Sequence, residues 1–217
     1  MSSKKKLVEI CHKVYDKGFV AAYDGNISCR TEDNMFLITR SGICKGDVTE
    51  KDLVKIDSNG KALKGKSKIS TEYKIHLNAY KIRNDVNAVV HCHPVYATAI
   101  SLLGKGLIEH YLPEVMLTLG KIPLCKYATP STDDVPKSME SYLHFSWAML
   151  LENHGAVTLG KTLDDAYYKM EKLEHYSKIL LLAKLSGTPR KLSRKNIDDI
   201  LGISESTYGI KIDKRNN

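Results

Sequence analysis

Apolar positions recur at helical spacing near both ends of the chain, and between them fall short solid or alternating runs typical of strands. Leu7, Ile10, Cys11 and Val14 predict a helix over 5–17, with Gly18 placed to end it. After the turn-rich Tyr23-Asp24-Gly25-Asn26, the alternation Ile27-Ser28-Cys29-Arg30 predicts a strand. Asp33-Asn34 then turns the chain back into Met35-Phe36-Leu37-Ile38-Thr39. Thr49-Glu50-Lys51-Asp52 reads as a short capped turn before the strand Leu53–Ile56, and Asp57-Ser58-Asn59-Gly60 is a strong turn signal.

A helix is predicted to begin at Ser70-Thr71-Glu72, with Tyr73, Leu77 and Tyr80 on one face, and to break at Asp85-Val86-Asn87. Ala88-Val89-Val90-His91-Cys92-His93 reads as a buried strand, Tyr96–Ser101 as a helix ended by Gly104, and 135–143 as another helix. Residues 107–127 are ambiguous, with strand-like pieces around Ile122-Pro123-Leu124. Trp147-Ala148-Met149-Leu150-Leu151 is a further apolar strand. Thr162-Leu163-Asp164-Asp165 resembles a capping box. From it Leu163, Ala166, Tyr167, Met170, Leu173, Leu180 and Leu181 form a stripe running to Gly187. Strands and helices interleave with hairpins and without a repeating βαβ unit. The expected fold is therefore a single-domain layered α/β/α arrangement with a central, largely antiparallel (mixed) sheet. Residues 1–217 are read as one domain, with 188–217 a C-terminal extension carrying one more helix near 195–201.

Composition narrows the function classes. With 217 residues, 42% of them hydrophobic and 27% charged, the chain can bury a substantial core. No apolar run approaches the ~20 residues that cross a bilayer. The start Met1-Ser2-Ser3-Lys4-Lys5-Lys6 leads into an amphipathic pattern rather than an export signal. The five cysteines are dispersed without C-x-x-C spacing, which argues against a disulfide framework and for a reducing, cytoplasmic setting. The net charge of +8 comes from scattered lysines and arginines with no aromatic interleaving, so no nucleic-acid partner is expected. A modest pull on small anionic substrates is the alternative use of that charge.

His91 and His93, two apart on a strand, point to one face and can converge on one ion. His154 leaves a second apolar strand in the turn Glu152-Asn153-His154-Gly155, and three such histidines make the ligand set of a catalytic, open zinc-type site. Taken singly, each is also readable as a hydrogen-bonded histidine at a strand end. Cys92 would face the opposite side of its strand and pack. His12, His76, His110, His144 and His175 show no such convergence and read as structural or exposed. Glu72, at the start of its helix, is the candidate acid/base and a possible fourth ligand, with an ordinary capping glutamate as the competing reading. Gly25-Asn26 with Ser28, Ser41-Gly42 and Ser70-Thr71 each offer small residues and donors suited to a phosphate.

These motifs together resemble the class II aldolase/adducin superfamily, most closely its L-fuculose-1-phosphate aldolase group. The resemblance runs through Gly25-Asn26-Ile27-Ser28, Thr39-Arg40-Ser41-Gly42, Ser70-Thr71-Glu72, His91-Cys92-His93, Tyr127-Ala128-Thr129, Asn153-His154-Gly155 and Thr207-Tyr208-Gly209. It implies Zn²⁺ (or another divalent ion such as Mn²⁺ or Co²⁺) on His91, His93 and His154, with Glu72 beside the metal. Phosphate is then implied at Asn26, Ser41, Gly42, Ser70 and Thr71. The implied reaction is Lewis-acid retro-aldol cleavage of a ketose 1-phosphate, fuculose- or (deoxy)ribulose-like, to dihydroxyacetone phosphate and an aldehyde. Tyr111 is the candidate proton donor from a neighbouring subunit, and Tyr208 the residue of a C-terminal extension that closes over the site. A homotetramer with active sites between subunits is implied as well. Arg40 stands where the pattern often has proline, and Thr71 where it often has serine. Alternatives on the same scaffold are a ribulose-phosphate 4-epimerase, against which Glu72 counts, an oxo-tetronate-phosphate decarboxylase, and a methylthioribulose-phosphate dehydratase. A non-catalytic adducin-like module would be expected to lose the metal ligands, which are all present here.

Overall fold

The computed structural model describes residues 2–63 and 68–216, leaving aside the side chains of Tyr208 and Lys214. Seven strands form one sheet: β1 Asn26–Arg30, β2 Phe36–Thr39, β3 Leu53–Ile56, β4 Ala88–Cys92, β5 Leu124–Cys125, β6 Ala148–Leu151 and β7 Gly155–Gly160. Their order is β3-β2-β1-β4-β7-β6-β5, and every neighbouring pair is antiparallel except β5–β6, which is parallel. The sheet is therefore mixed and largely antiparallel, as the interleaved pattern predicts.

Helices cover both faces. The period of two along each strand sends alternate side chains into two separate cores. On one face Ile27, Cys29, Ala88, Val90 and Cys92 pack with Leu7, Ile10 and Val14 of α1 (Ser3–Asp16), Ala97 and Ile100 of α3 (Val95–Ser101), and Met170 and Leu173 of the later helix α6 (Leu163–Ser186). On the other, Ile38, Val54, Val89, Met149 and Val157 pack with Ile75 and Ala79 of α2 (Tyr73–Ile82) and Val135, Met139 and Leu143 of α5 (Asp134–Leu143). Cys92 is fully buried in the first core, as its place between two histidines requires.

Several elements depart from the sequence expectation. The helix predicted from Ser70 starts at Tyr73, and its buried stripe is Ile75, His76, Ala79 and Tyr80, whereas Tyr73 and Leu77 are only partly buried. The ambiguous stretch 107–127 holds the short helix α4 (Pro113–Thr118), opened by a proline in its first turn, and the two-residue strand β5. Strand β7 was not expected. All six of its residues are buried, so it lacks the polar alternation that marks a strand in sequence. The last helix, α7, runs Arg194–Tyr208, longer than 195–201, and Ser193 and Asn196 close a capping box at its start. No described helix is long and apolar enough to cross a membrane.

Candidate metal centre and phosphate pocket

Strand register assembles the site. His91 lies on β4 directly opposite Asn26 of β1 and Val157 of β7. His93 follows the strand, its backbone N–H held by Phe19 O at 2.9 Å. His154 sits in the tight β6–β7 turn, with its N–H bonded to Leu151 O at 3.1 Å and Asn153 before it in the left-handed region at φ 55°. The three rings form a nearly equilateral triangle, with centroids 5.0, 4.8 and 4.9 Å apart. Gly155 is required by this packing, because a Cβ there would lie 2.5 Å from His93 Cδ2 and 2.6 Å from Cys92 O. The glycine thus makes room for a ligand ring.

Each of the three histidines presents one nitrogen to a common centre, all within 4.8 Å of one another. His91 directs Nδ1 at Ala156 O, 3.0 Å away, which makes Nδ1 the donor and leaves Nε2 as the nitrogen that a cation would take. That Nε2 lies 3.2 Å from Nε2 of His93 and 3.3 Å from Glu72 Oε2. His154 Nε2 lies 3.2 Å from Glu72 Oε1, yet this buried carboxylate oxygen has no aligned hydrogen-bond donor. Three imidazole nitrogens converging around a carboxylate oxygen that has no aligned donor among the described residues are an arrangement that a divalent cation satisfies, so the donor set fits one. Burial would push the Glu72 carboxyl up, but the adjacent His91 and His154 imidazoles, when they carry the proton that a cation would replace, more than reverse this and hold it well below the usual carboxylate range. Burial, reinforced by the other two rings, pushes His93 down to about 3, so it stays neutral as a ligand must.

Glu72 is at the N-cap position of α2, one residue before the first turn, and its side chain does not cap the helix. That removes the ordinary capping reading. The carboxylate instead accepts a hydrogen bond from Asn26 Nδ2 at 2.9 Å and faces the histidines.

In front of these groups lies a cavity of about 350 Å³ lined by Asn26, Ser41, Gly42, Ser70, Thr71 and Glu72, together with His93 and His154. Three turns far apart in sequence thus meet at one place. Within them, Ser41 gives its backbone N–H to Lys68 O at 2.9 Å, and Gly42 occupies the left-handed region at φ 68°. Thr71 Oγ1 is 2.6 Å from Ser131 Oγ. Ser131 and Arg40 complete the polar wall. Arg40 donates from Nε to Asp52 Oδ1 at 2.8 Å and from one terminal nitrogen to Ser41 O at 3.3 Å, which places its guanidinium at the pocket edge.

Sequence reading missed three participants. Ser131, itself in the left-handed region at φ 69°, lines the cavity from a hydroxyl-rich turn. Lys45 is 1% exposed and donates to Tyr23 O at 3.2 Å and Ile43 O at 2.8 Å, tying two of the pocket turns together from beneath. His76, 1% exposed, lies behind Asn26. Tyr111 packs half-buried against the first core and does not line the pocket of its own chain. The side chain of Tyr208 lies outside the described residues.

Known proteins resemble this chain over most of its length. The family described as the class II aldolase and adducin N-terminal domain matches residues 5–181. The L-fuculose phosphate aldolase of Methanococcus vannielii is 39% identical over 175 residues, which is 81% of this chain and 93% of that protein. The 3-oxo-tetronate 4-phosphate decarboxylase of Escherichia coli K12 is 30% identical over 185 residues, covering 83% of this chain and 87% of that one. A solved L-fuculose 1-phosphate aldolase superposes with a TM-score of 0.85 at 28% identity, covering 91% of this chain and 93% of its own. This chain belongs to the class II aldolase and adducin family.

Proposed function

We propose that this protein is a zinc-dependent aldehyde-lyase that reversibly cleaves a ketose 1-phosphate, fuculose- or (deoxy)ribulose-like, to dihydroxyacetone phosphate and an aldehyde. The observation that carries the reading is the convergence of His91, His93 and His154 on one centre with Glu72 against two of them, at the floor of a hydroxyl-lined pocket. His91, His93 and His154 would hold the cation, with Glu72 as a fourth ligand before substrate enters. Zn²⁺, or Mn²⁺ or Co²⁺ in its place, supplies Lewis-acid polarisation of the substrate carbonyl and hydroxyl oxygens.

The chain's own groups do the rest. Ser41, Ser70 and Thr71 offer hydroxyls and Gly42 its N–H to the phosphate, Asn26 its second amide hydrogen, and Arg40 a compensating charge. Phosphate held there fixes the sugar carbons over Glu72. The Glu72 carboxylate then takes and returns the proton at the carbon and oxygen atoms beside the broken bond. On this reading Tyr111 reaches the aldehyde half of the site in a neighbouring subunit of a homotetramer, and Tyr208 closes the C-terminal extension over it. The cytoplasm is the expected location.

A second reading, decarboxylation of a phosphorylated oxo-acid, is favoured by the similarity to 3-oxo-tetronate 4-phosphate decarboxylases. Both reactions break a carbon–carbon bond beside a polarised carbonyl, and their products separate them. The test is a panel of ketose 1-phosphates and 3-oxo-tetronate 4-phosphate assayed for dihydroxyacetone phosphate and for CO₂. Release of dihydroxyacetone phosphate that chelation abolishes and Zn²⁺ restores is expected. In that assay Glu72→Gln should lower turnover by ~10²–10⁴-fold, the usual worth of a positioned acid/base. Turnover indifferent to chelation, or CO₂ as the product, contradicts the aldolase reading.

A further inference from the structure

Behind Glu72 a row of polar side chains runs into the core. Glu72 at the N-cap of α2 is followed at intervals of four by His76 and Tyr80 on one face of the helix, and Asn26 and Ser28 lie two apart on the facing side of β1. The two elements mesh as a zipper. Asn26 Nδ2 donates to Glu72 Oε2 at 2.9 Å, Asn26 Oδ1 meets His76 Nε2, His76 Nδ1 is 2.6 Å from Ser28 Oγ, and Ser28 Oγ is 2.6 Å from the Tyr80 hydroxyl. Asn26, Ser28, His76 and Tyr80 are all at most 3% exposed, so no solvent competes for these bonds.

We propose that His76 is a positioning residue, which locks the Asn26 amide and through it the Glu72 carboxylate in a single orientation. The inference rests on Glu72 as the acid/base proposed above.

The direction of every bond is forced, starting from the carboxylate. An ionised Glu72 only accepts, so Asn26 must turn its NH₂ towards it and its carbonyl oxygen towards His76. That oxygen needs a donor, so the proton of the imidazole sits on Nε2. Burial pushes the ring's pKa down to about 3, so it is neutral and Nδ1 is bare. Nδ1 then takes the Ser28 hydroxyl hydrogen, and Ser28 takes that of Tyr80, whose phenol burial keeps protonated. Reversing any link would set two acceptors or two donors face to face in the core, at about 1–3 kcal/mol each. The far end is pinned by the Tyr80 ring stacked on Phe36, with centroids 4.7 Å apart. In this role the row moves no proton; it fixes the angle of the group that does.

Two measurements test it. In the metal-free protein, long-range ¹H–¹⁵N NMR should show His76 as the neutral Nε2–H tautomer; a protonated Nδ1 or an imidazolium at neutral pH would overturn the proposal whatever the substrate. In the active enzyme, His76→Leu should lower kcat by about 10–100-fold, the range for residues that orient a ligand from behind, with KM little changed. His76→Gln, whose amide can still donate to Asn26, should recover part of that loss. In an Asn26→Ala background His76→Leu should cost almost nothing further. Losses that multiply in the double variant, or a glutamine no better than leucine, would show a merely packing role. A protein inert on every phosphorylated substrate would overturn the aldolase reading, while the tautomer would still decide the orientation of the row.

Discussion

His91 and His93 were legible because strand periodicity alone puts them on one face, and His154 because an apolar strand ends just before it. His76 was not. A single histidine on a helix has an ordinary structural reading, and its partners Asn26 and Ser28 are some fifty residues away, brought close only by the β1–β4 register and the docking of α2. The usable signal was a combined one: Glu72, His76 and Tyr80 every fourth residue, against Asn26 and Ser28 two apart. Lys45 left no signal, since a lysine beside Gly46 reads as a solvated turn. Its burial beneath two carbonyls makes a prediction. Lys45→Met should leave Tyr23 O and Ile43 O unsatisfied, cost about 1–3 kcal/mol of stability, and raise KM for the phosphorylated substrate more than it lowers kcat. Thermal unfolding together with steady-state kinetics checks both, and an unchanged KM would remove Lys45 from the pocket's support.

Among elements, those with a clear period came through the sequence and those without did not. α1 and α6 carry unambiguous apolar stripes, and β1 and β2 are joined by a recognisable turn. β7 is buried on both faces and bounded by glycines, so neither alternation nor a polar flank announces it. Yet β7 sits between β4 and β6 and thereby fixes the distance from His91 to His154. Its first residue, Gly155, is the sensitive point. The methyl group of Gly155→Ala would meet the His93 ring and the Cys92 carbonyl, so either ring or turn must shift. Since misplacing a reacting group by about 1 Å can cost ~10²-fold, turnover should fall by that order while circular dichroism stays unchanged. Full activity in this variant would mean that His93 need not hold its observed place.

At the scale of the whole molecule, the sheet order explains why the histidines meet beside Asn26: the strand ends at Asn26, His91 and the His154 turn lie side by side in the middle of the sheet, on β1, β4 and β7. The charge of +8 comes from lysines and arginines scattered along the sequence and acts as a general attraction for anions. What the sequence could not show is the surface a second chain would cover. Leu102, Leu103, Ile108 and Tyr127 are each more than half exposed, an unusual run for a protein alone in water. The homotetramer proposed above would cover such residues, so sedimentation should give a mass of four chains, and Leu103→Asp should lower it. A monomer indifferent to that substitution would separate the site from any neighbour and leave Tyr111 without a role.

All of the proposed chemistry depends on three imidazoles binding one cation. The most direct measurement is zinc binding to the apoprotein, with the metal's surroundings read by X-ray absorption. One Zn²⁺ per chain is expected, with nitrogen neighbours at ~2.0–2.1 Å. Stoichiometric binding should be lost in His91→Ala, His93→Ala and His154→Ala alike. Binding that survives removal of any one of these histidines, or a site dominated by sulfur, would contradict the account.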